Sequence, residues 1–509
     1  MTVHSNAFAK PKPRHFHGRY ESARWRSAYR FAILNAAFFA VFSTVNALYV
    51  GVPIEFHVAA AALFAVGSIV AFYLLCESGG SLAAVSFFVL GAGMAFGFGT
   101  AYSIYAEGYV FAMFFNEAEQ IRNLPIINLM NSISVLIVLV SSWFVARVDG
   151  GAQAQYTLRD IFDVLRVLRM PAIVLSFFYF AMFTWTFPVA ENLIVRNVIY
   201  QLNAMPTLVI LISFSSWRSL SIVGKAVALA TVGLVIVFGF LEAGKSPVLV
   251  AILATTIGLY FGGYRRAALA LVAITALLYF AVLASGINGM RSQPRFNAST
   301  NTIAERVEMA KDVLGGQAAT SVHDEGNSFK RNLTRFLHGP TQSFLVDEWR
   351  AGRYGNSLAD AWVAVIPRVL WPDKPIVTRF SEELYGKMFR LAPEESTSAQ
   401  APTYTAEALW DYGWPGLLVV SVLLGLELGW FTRKWLQFID GSSLQIGIVL
   451  FSVPIAKVAI VVETWIAASY IGGFVTLFIL VKSVDLLLLP LLRRRKLKNE
   501  RLRAARAPI

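Results

Sequence analysis

Two cations held between three prolines are the first residues of this chain whose types suggest chemistry. In Ile366-Pro-Arg-Val-Leu-Trp-Pro-Asp-Lys-Pro375, Pro367, Pro372 and Pro375 stiffen a turn that presents Arg368 and Lys374. A guanidinium fork binds phosphate bidentately and an ammonium acts as a point charge, so the pair fits a diphosphate. The other reading is an interfacial anchor, because Trp362 and Trp371 flank the turn as an aromatic belt would. Further on, Glu407, Trp410 and Asp411 fall at i, i+3 and i+4 of one helical face. Glu407 is either a base or an orienting group for an incoming hydroxyl, or an acid favoured by a helix N-terminus. His338, before Gly339-Pro340, is predicted to end an amphipathic helix over 328–338, as a general base or as a C-terminal cap partner. A helix from Thr341 to Gly352 follows, with Arg353 just past its C-cap glycine. In Glu242-Ala-Gly-Lys-Ser-Pro247, Lys245 is predicted beside the free N–H groups of a helix capped by Ser246. That makes either an anion site or a tight turn with a snorkelling lysine.

All of these except Lys245 lie in one segment, 288–413, and the rest of the chain must position it. The hydrophobic fraction of 56%, mean hydropathy of +0.58 and length of 509 residues fit an all-α polytopic membrane protein and no soluble class. Apolar runs stand at roughly 31–53, 57–76, 82–104, 127–146, 171–190, 205–217, 226–242, 247–263 and 267–287. Three more follow the long segment, at 414–432, 444–462 and 465–489, for about twelve transmembrane helices. The chain divides into a basic tail at 1–30, helices 1–9 over 31–287, the long loop at 288–413, helices 10–12 over 414–489 and a basic tail at 490–509. No cleavable signal peptide is visible in the basic, aromatic first thirty residues.

The net charge of +13 is placed by topology. With the N-terminus inside, Arg147, Arg159, Arg166, Arg169, Arg218, Lys225, Arg265, Arg266, Arg433, Lys434 and the 493–506 cluster all fall on inward segments. Both termini are then cytoplasmic and the long loop is outside. The loop holds 14 basic and 15 acidic residues, so it carries no such bias. The basic excess sets orientation and touches anionic lipid, which argues against nucleic acid as a partner. Within the loop, Thr302 and Glu305 form a capping box that predicts a helix over 303–314. Residues 357–371 are apolar but too short to span, and predict a re-entrant or interfacial helix. The 105–126 segment, with Glu107, Glu117, Glu119 and Arg122, reads as an interfacial helix, and 147–170 as a cytoplasmic amphipathic one. Glu427 and Lys457 fall inside predicted spans, where ionisable groups face a cavity or each other. The single cysteine, Cys76, excludes a disulfide framework and a thiolate metal cluster.

The run 366–375, together with Thr403-Tyr-Thr-Ala-Glu-Ala-Leu-Trp-Asp-Tyr-Gly-Trp-Pro-Gly416, resembles the Wzy-type O-antigen polymerases, bacterial enzymes that polymerise oligosaccharide repeat units. The Gly244-Lys245-Ser246 turn is similar to a Gly-Ser-Arg-like turn of that group, with lysine where arginine is commoner. The resemblance implies an inner-membrane, metal-independent glycosyltransferase of GT-C-like architecture, with no cofactor. Donor and acceptor would be undecaprenyl-diphosphate-linked oligosaccharides, and the product a cell-surface polysaccharide. A chain-length regulator and a flippase are the implied protein partners. Lys245, Arg353, Arg368 and Lys374 would meet the diphosphate, Tyr404 the substrate, and Glu407 or His338 would be the base, with Arg368 at the reacting centre.

Three other classes compete. An O-antigen ligase would use the same donor and a different acceptor. A polysaccharide or small-molecule transporter is expected to show internal repeats with paired broken helices, and no repeat is visible. An exosortase-like peptidase needs an outward cysteine, whereas Cys76 is predicted at the inner end of the second span. The topology predicts that a cysteine at position 371, in a chain whose Cys76 is serine, reacts with a membrane-impermeant maleimide from the outside of intact inner membranes. Labelling from the cytosol alone would reject it.

Overall fold

A computed structural model of the chain describes residues 22–49, 51–80, 83–105, 117–147, 158–186, 204–242, 245–278, 287, 290, 302–314, 338–366, 371, 402–439, 445–462 and 466–504. The described residues are helical, with turns between. The helices are α1 (Ser22–Leu48), α2 (Ile54–Leu75), α3 (Ala84–Ala92), α4 (Glu117–Ala146), α5 (Leu158–Thr186), α6 (Ala204–Ser215), α7 (Ile222–Leu241), α8 (Lys245–Phe261) and α9 (Arg265–Leu278). After them come α10 (Ile303–Leu314), α11 (Gly339–Arg350), α12 (Ala361–Val365), α13 (Tyr404–Ile439), α14 (Ile446–Ile460) and α15 (Val475–Ala504). The helix of α3 continues through a π-wound stretch, Gly93–Gly99, and another π-wound stretch, Ile466–Phe474, leads into α15.

Over its described residues, each predicted apolar run falls largely on helix. Seven helices among the described residues are long and apolar enough to cross a membrane, and Ala204–Ser215, Pro247–Phe261 and Ile446–Ile460 are shorter apolar helices. Several boundaries differ from expectation, and α4 starts at Glu117, within the segment expected as a separate interfacial helix. Helix α1 starts at Ser22, so Arg24, Arg26 and Arg30 ride on it, and α15 runs through the basic tail to Ala504. The predicted amphipathic helix and the fifth span are one continuous helix, α5, through Pro171.

Helix α4 lies at the centre, packed against α1 and α13. Its buried face carries polar residues among apolar ones: Asn123, Asn128, Asn131, Ser132, Ser134 and Ser142 are fully buried. Small residues let the partner helix approach, because there is little hydrophobic drive between helices in lipid. A Cβ added at Gly425 would stand 2.6 Å from the Val138 carbonyl, and one at Gly429 would stand 2.7 Å from that of Ser142.

The basic residues expected on the inward side gather at one end of the bundle. Trp25 stacks on Trp143 at 5.8 Å and Arg147 lies over Trp143 at 5.9 Å. Arg169 donates to the Gly224 carbonyl, and Arg218 donates to Tyr264 Oη at 3.1 Å.

The other end is closed by the long loop. Helix α10 begins with the expected capping box: Thr302 N–H donates to Glu305 Oε2 at 2.7 Å and Glu305 N–H to Thr302 Oγ1 at 3.3 Å. It packs on the end of α7, where Leu241, Val248, Met290 and Met309 form a small apolar cluster. Arg306 is buried there and its guanidinium reaches the Leu241 carbonyl at 3.5 Å. Burial pushes the Glu242 carboxyl up, against the nearby Arg306 charge, and pushes Arg306 down, against the charges of Glu242 and Glu305.

Helix α13 is two limbs. At Gly413 the backbone takes φ 64 and ψ −155, which glycine adopts without the strain a Cβ would add. The limbs 404–412 and 414–439 are not collinear. A Cβ at Gly416 would stand 2.8 Å from the Ala408 carbonyl, eight residues back. Ser134 Oγ lies within hydrogen-bond distance of both Tyr404 Oη, at 2.9 Å, and Ser421 Oγ, at 2.6 Å. A straight helix at ~1.5 Å per residue puts 404 and 421 on different levels, so the first limb folds back beside the second. The chain therefore reverses before it enters the apolar run at 414–432.

Valine at Gly425 or Gly429 should lower the thermal stability of the detergent-solubilised protein by about 1–3 kcal/mol each, by wedging α13 off α4. Valine at Gly233, where a Cβ would meet nothing within 4 Å, should change little in the same thermal-unfolding measurement.

Candidate active site

The folded-back limb 404–412 is held where it is by its own start and by its two acids. Thr403 caps it, accepting from Ala406 N–H at 3.3 Å. Glu407 and Asp411, one turn apart, face the loop 353–358 and the start of the 466–474 stretch. Glu407 is fully buried. Its Oε2 accepts from Ile466 N–H at 2.7 Å, so the carboxylate sits at the positive end of that helix. Its Oε1 meets Ser357 Oγ at 2.5 Å. Asp411 Oδ2 accepts from Leu358 N–H at 2.9 Å and meets the same hydroxyl at 2.7 Å. Trp410, between them, donates from Nε1 to the Arg353 carbonyl at 2.6 Å, and Gly355 N–H donates to the Trp410 carbonyl at 3.3 Å.

Ser357 therefore bridges two buried carboxyl groups. A hydroxyl carries one hydrogen. It satisfies one carboxylate by donating, and the other carboxyl by accepting if that group is protonated. The bridge is complete when Glu407 and Asp411 hold one proton between them. Asp411 Oδ1 is buried without a hydrogen-bond partner. It points at Gly355, where a Cβ would stand 2.2 Å from it, so only a glycine fits.

Below the acids runs a buried polar seam. Gln342, on α11, donates from Nε2 to Asn131 Oδ1 and to Thr403 Oγ1, both at 3.0 Å. Thr405 Oγ1 donates to Asn131 Oδ1 at 2.7 Å. Asn123 donates to Ser343 Oγ at 2.8 Å and accepts from Arg350 at 2.6 Å. Arg122 pairs with Asp347 at 3.0 Å. The start of α11 is buried from Gly339 to Ser343, so this loop helix is inserted between α4 and α13 rather than laid over them.

The expected site residues fall into three groups. Glu407 and Asp411 meet through Ser357. Tyr404 shares their helix but turns into the core, where its ring contacts Phe88, Phe96 and Tyr470. Arg353 touches the site through its carbonyl. Its guanidinium is exposed and binds Glu348 at 2.9 and 2.6 Å, which pushes it up. An anion would have to displace Glu348.

His338 is buried and is the residue before α11, at its N-cap. Pro340 lacks an N–H that a first helical turn does not need, and so suits the start of α11. Lys245 is the first residue of α8. Arg368, Lys374 and the helix expected over 328–337 lie outside the described residues. The re-entrant helix expected over 357–371 is shorter: a 3-10 turn, Ser357–Asp360, then α12, packed on the 466–474 stretch. Glu427 and Lys457 make no ion pair with each other, contrary to one reading of the sequence.

Ser357, Asn131, Gln342 and the Thr403/Thr405 pair were not singled out from sequence. Asparagines at 123, 128 and 131 inside an apolar run were the available signal.

The family described as "Domain of unknown function (DUF8712)" matches residues 167–454, a stretch that contains Lys245, His338, Arg353, Arg368, Lys374, Tyr404 and Glu407. No curated protein and no solved structure matches the chain.

Ser357→Ala should cost about 1–3 kcal/mol by leaving a buried carboxyl without its bridge, and Gly355→Ala should cost at least as much by displacing Asp411. Limited proteolysis should then cut within 353–366 in both variants and not in the native protein.

Proposed function

We propose that this chain, which belongs to the DUF8712 family, polymerises undecaprenyl-diphosphate-linked oligosaccharide repeat units at the outer face of a bacterial inner membrane. The observation that carries the reading is the insertion of the long polar loop into the helix bundle, with a buried carboxyl pair where α11, the 353–358 turn and the folded-back limb 404–412 meet. Supporting it are the basic residues gathered at the opposite end of the bundle, as a cytoplasmic side would have them. In this reading the twelve helices span the membrane in a GT-C-like arrangement, both termini are cytoplasmic and 288–413 is periplasmic.

The reaction needs a base for the acceptor hydroxyl and cations for the departing diphosphate. The acceptor oxygen forms a bond to the anomeric carbon as the bond from that carbon to the diphosphate oxygen breaks. The hydroxyl proton passes to the base, and the electron pair leaves with undecaprenyl diphosphate. Both oxygens of Glu407 are already engaged, by Ile466 and Ser357. Glu407 takes the proton only once Ser357 turns its hydroxyl to Asp411, so the serine is the relay and Asp411 its second pole. Arg368 and Lys374, in the proline-braced turn, are the cations for the leaving group. Arg353 serves less directly, because Glu348 occupies its fork.

Arg368→Ala should abolish long glycan chains while the protein inserts and accumulates normally, whereas Arg353→Ala should only shorten them. Unchanged chain length in the Arg368 variant removes it from the site. A deletion strain that accumulates long lipid-linked chains without attaching them would mark a ligase instead.

A further inference from the structure

Helix α14 is enclosed in the bundle, packed by α3, α6, α8, α13, α15 and the 466–474 stretch. None of its residues is exposed; ten are buried. The partly exposed positions include Phe451, Pro454, Lys457 and Val458, and Val461 follows just past the helix end. Their spacing of three and four residues draws one stripe along the helix. Four of the five are apolar and the fifth is a lysine.

The Lys457 side chain makes no hydrogen bond, ion pair or ring contact, although it lies in an otherwise apolar run from Val453 to Val462. An ammonium in such surroundings without a counter-charge is unfavourable, and ionisable residues inside spans usually serve a ligand or a path. Its position names the level. Val461 N–H donates to the Lys457 carbonyl at 3.2 Å, and the Val462 carbonyl accepts from Tyr404 N–H at 3.3 Å. Lys457 is therefore one turn from the start of the limb that carries Glu407 and Asp411.

We infer that this stripe seats a polyprenyl diphosphate, with the isoprenoid chain along Phe451 and Pro454 and a phosphate on Lys457. Apolar positions that lead to a lone cation complement an amphiphile with an anionic head, and Lys457 lies on the carboxyl-pair side of Phe451 and Pro454. The stripe and its lysine stand without the polymerase reading; only the identity of the lipid rests on it.

The test uses the full chain in phosphatidylcholine nanodiscs, with undecaprenyl diphosphate as probe and binding read by native mass spectrometry. Lys457→Met should bind about tenfold or more weakly, because a charge-assisted contact to phosphate is lost, and Lys457→Arg should stay within a few-fold of native. Ligand-free Lys457→Met should also unfold at a higher temperature than native, since an unpaired charge has been removed. A lysine with a structural role would give the opposite shift. Undiminished binding by Lys457→Met overturns the inference, as does competition by phosphatidylglycerol as strong as by undecaprenyl diphosphate. Lys457-dependent binding in a protein whose deletion leaves glycan length unchanged would keep the inference and reject the polymerase. Loss of long chains in the Lys457→Met strain with undiminished binding would do the reverse.

Discussion

Backbone groups in an apolar medium must find partners inside the protein, and this structure depends on that constraint at its buried helix starts. Tyr404 and Ile466 open helices away from water, and Gly339 opens a third beside them. Each start exposes N–H groups that no residue of its own helix can take. Glu407 resolves two problems at once: its carboxylate accepts from Ile466 N–H and meets Ser357, the first residue of another short helix. Asp411 does the same for Leu358. One turn of helix thus gathers the loop 353–358 and the 466–474 stretch onto the folded-back limb. Remove the Glu407 carboxylate and both segments lose one attachment together.

The polar seam follows from the same constraint. Gln342, Asn131, Thr403 and Thr405 satisfy one another, so that the start of a loop helix can lie between two apolar helices. A seam of this kind fixes register strictly, because a slip of one residue would bury several unpaired amides. It gives the site a rigid floor. Above it stand the carboxyl pair and, toward the surface, the pairs Arg122–Asp347 and Arg353–Glu348, exposed enough to contribute little to stability.

Much of the helix plan was legible because apolar runs and capping signals are local. The Thr302–Glu305 box begins a helix, and the twelve apolar runs, over their described residues, fall largely on helix. The face shared by Glu407, Trp410 and Asp411 was legible for the same reason, since i, i+3 and i+4 spacing needs no tertiary knowledge. What could not be read was the reversal at Gly413. A glycine before Trp-Pro is compatible with a straight entry or a fold-back, and the choice lies in packing against Ser134 and Val138, far away in sequence. Ser357 was invisible for a related reason: its role exists only where a distant helix brings two acids to it.

The central claim is that Glu407 holds two separate segments onto one limb. Amide hydrogen exchange read by mass spectrometry tests it directly, comparing native protein with Glu407→Ala in the same detergent. The account predicts that peptides covering 353–365 and 466–474 lose protection together, while those covering α1 and α4 keep theirs. Loss in only one of the two, or in neither, would contradict it.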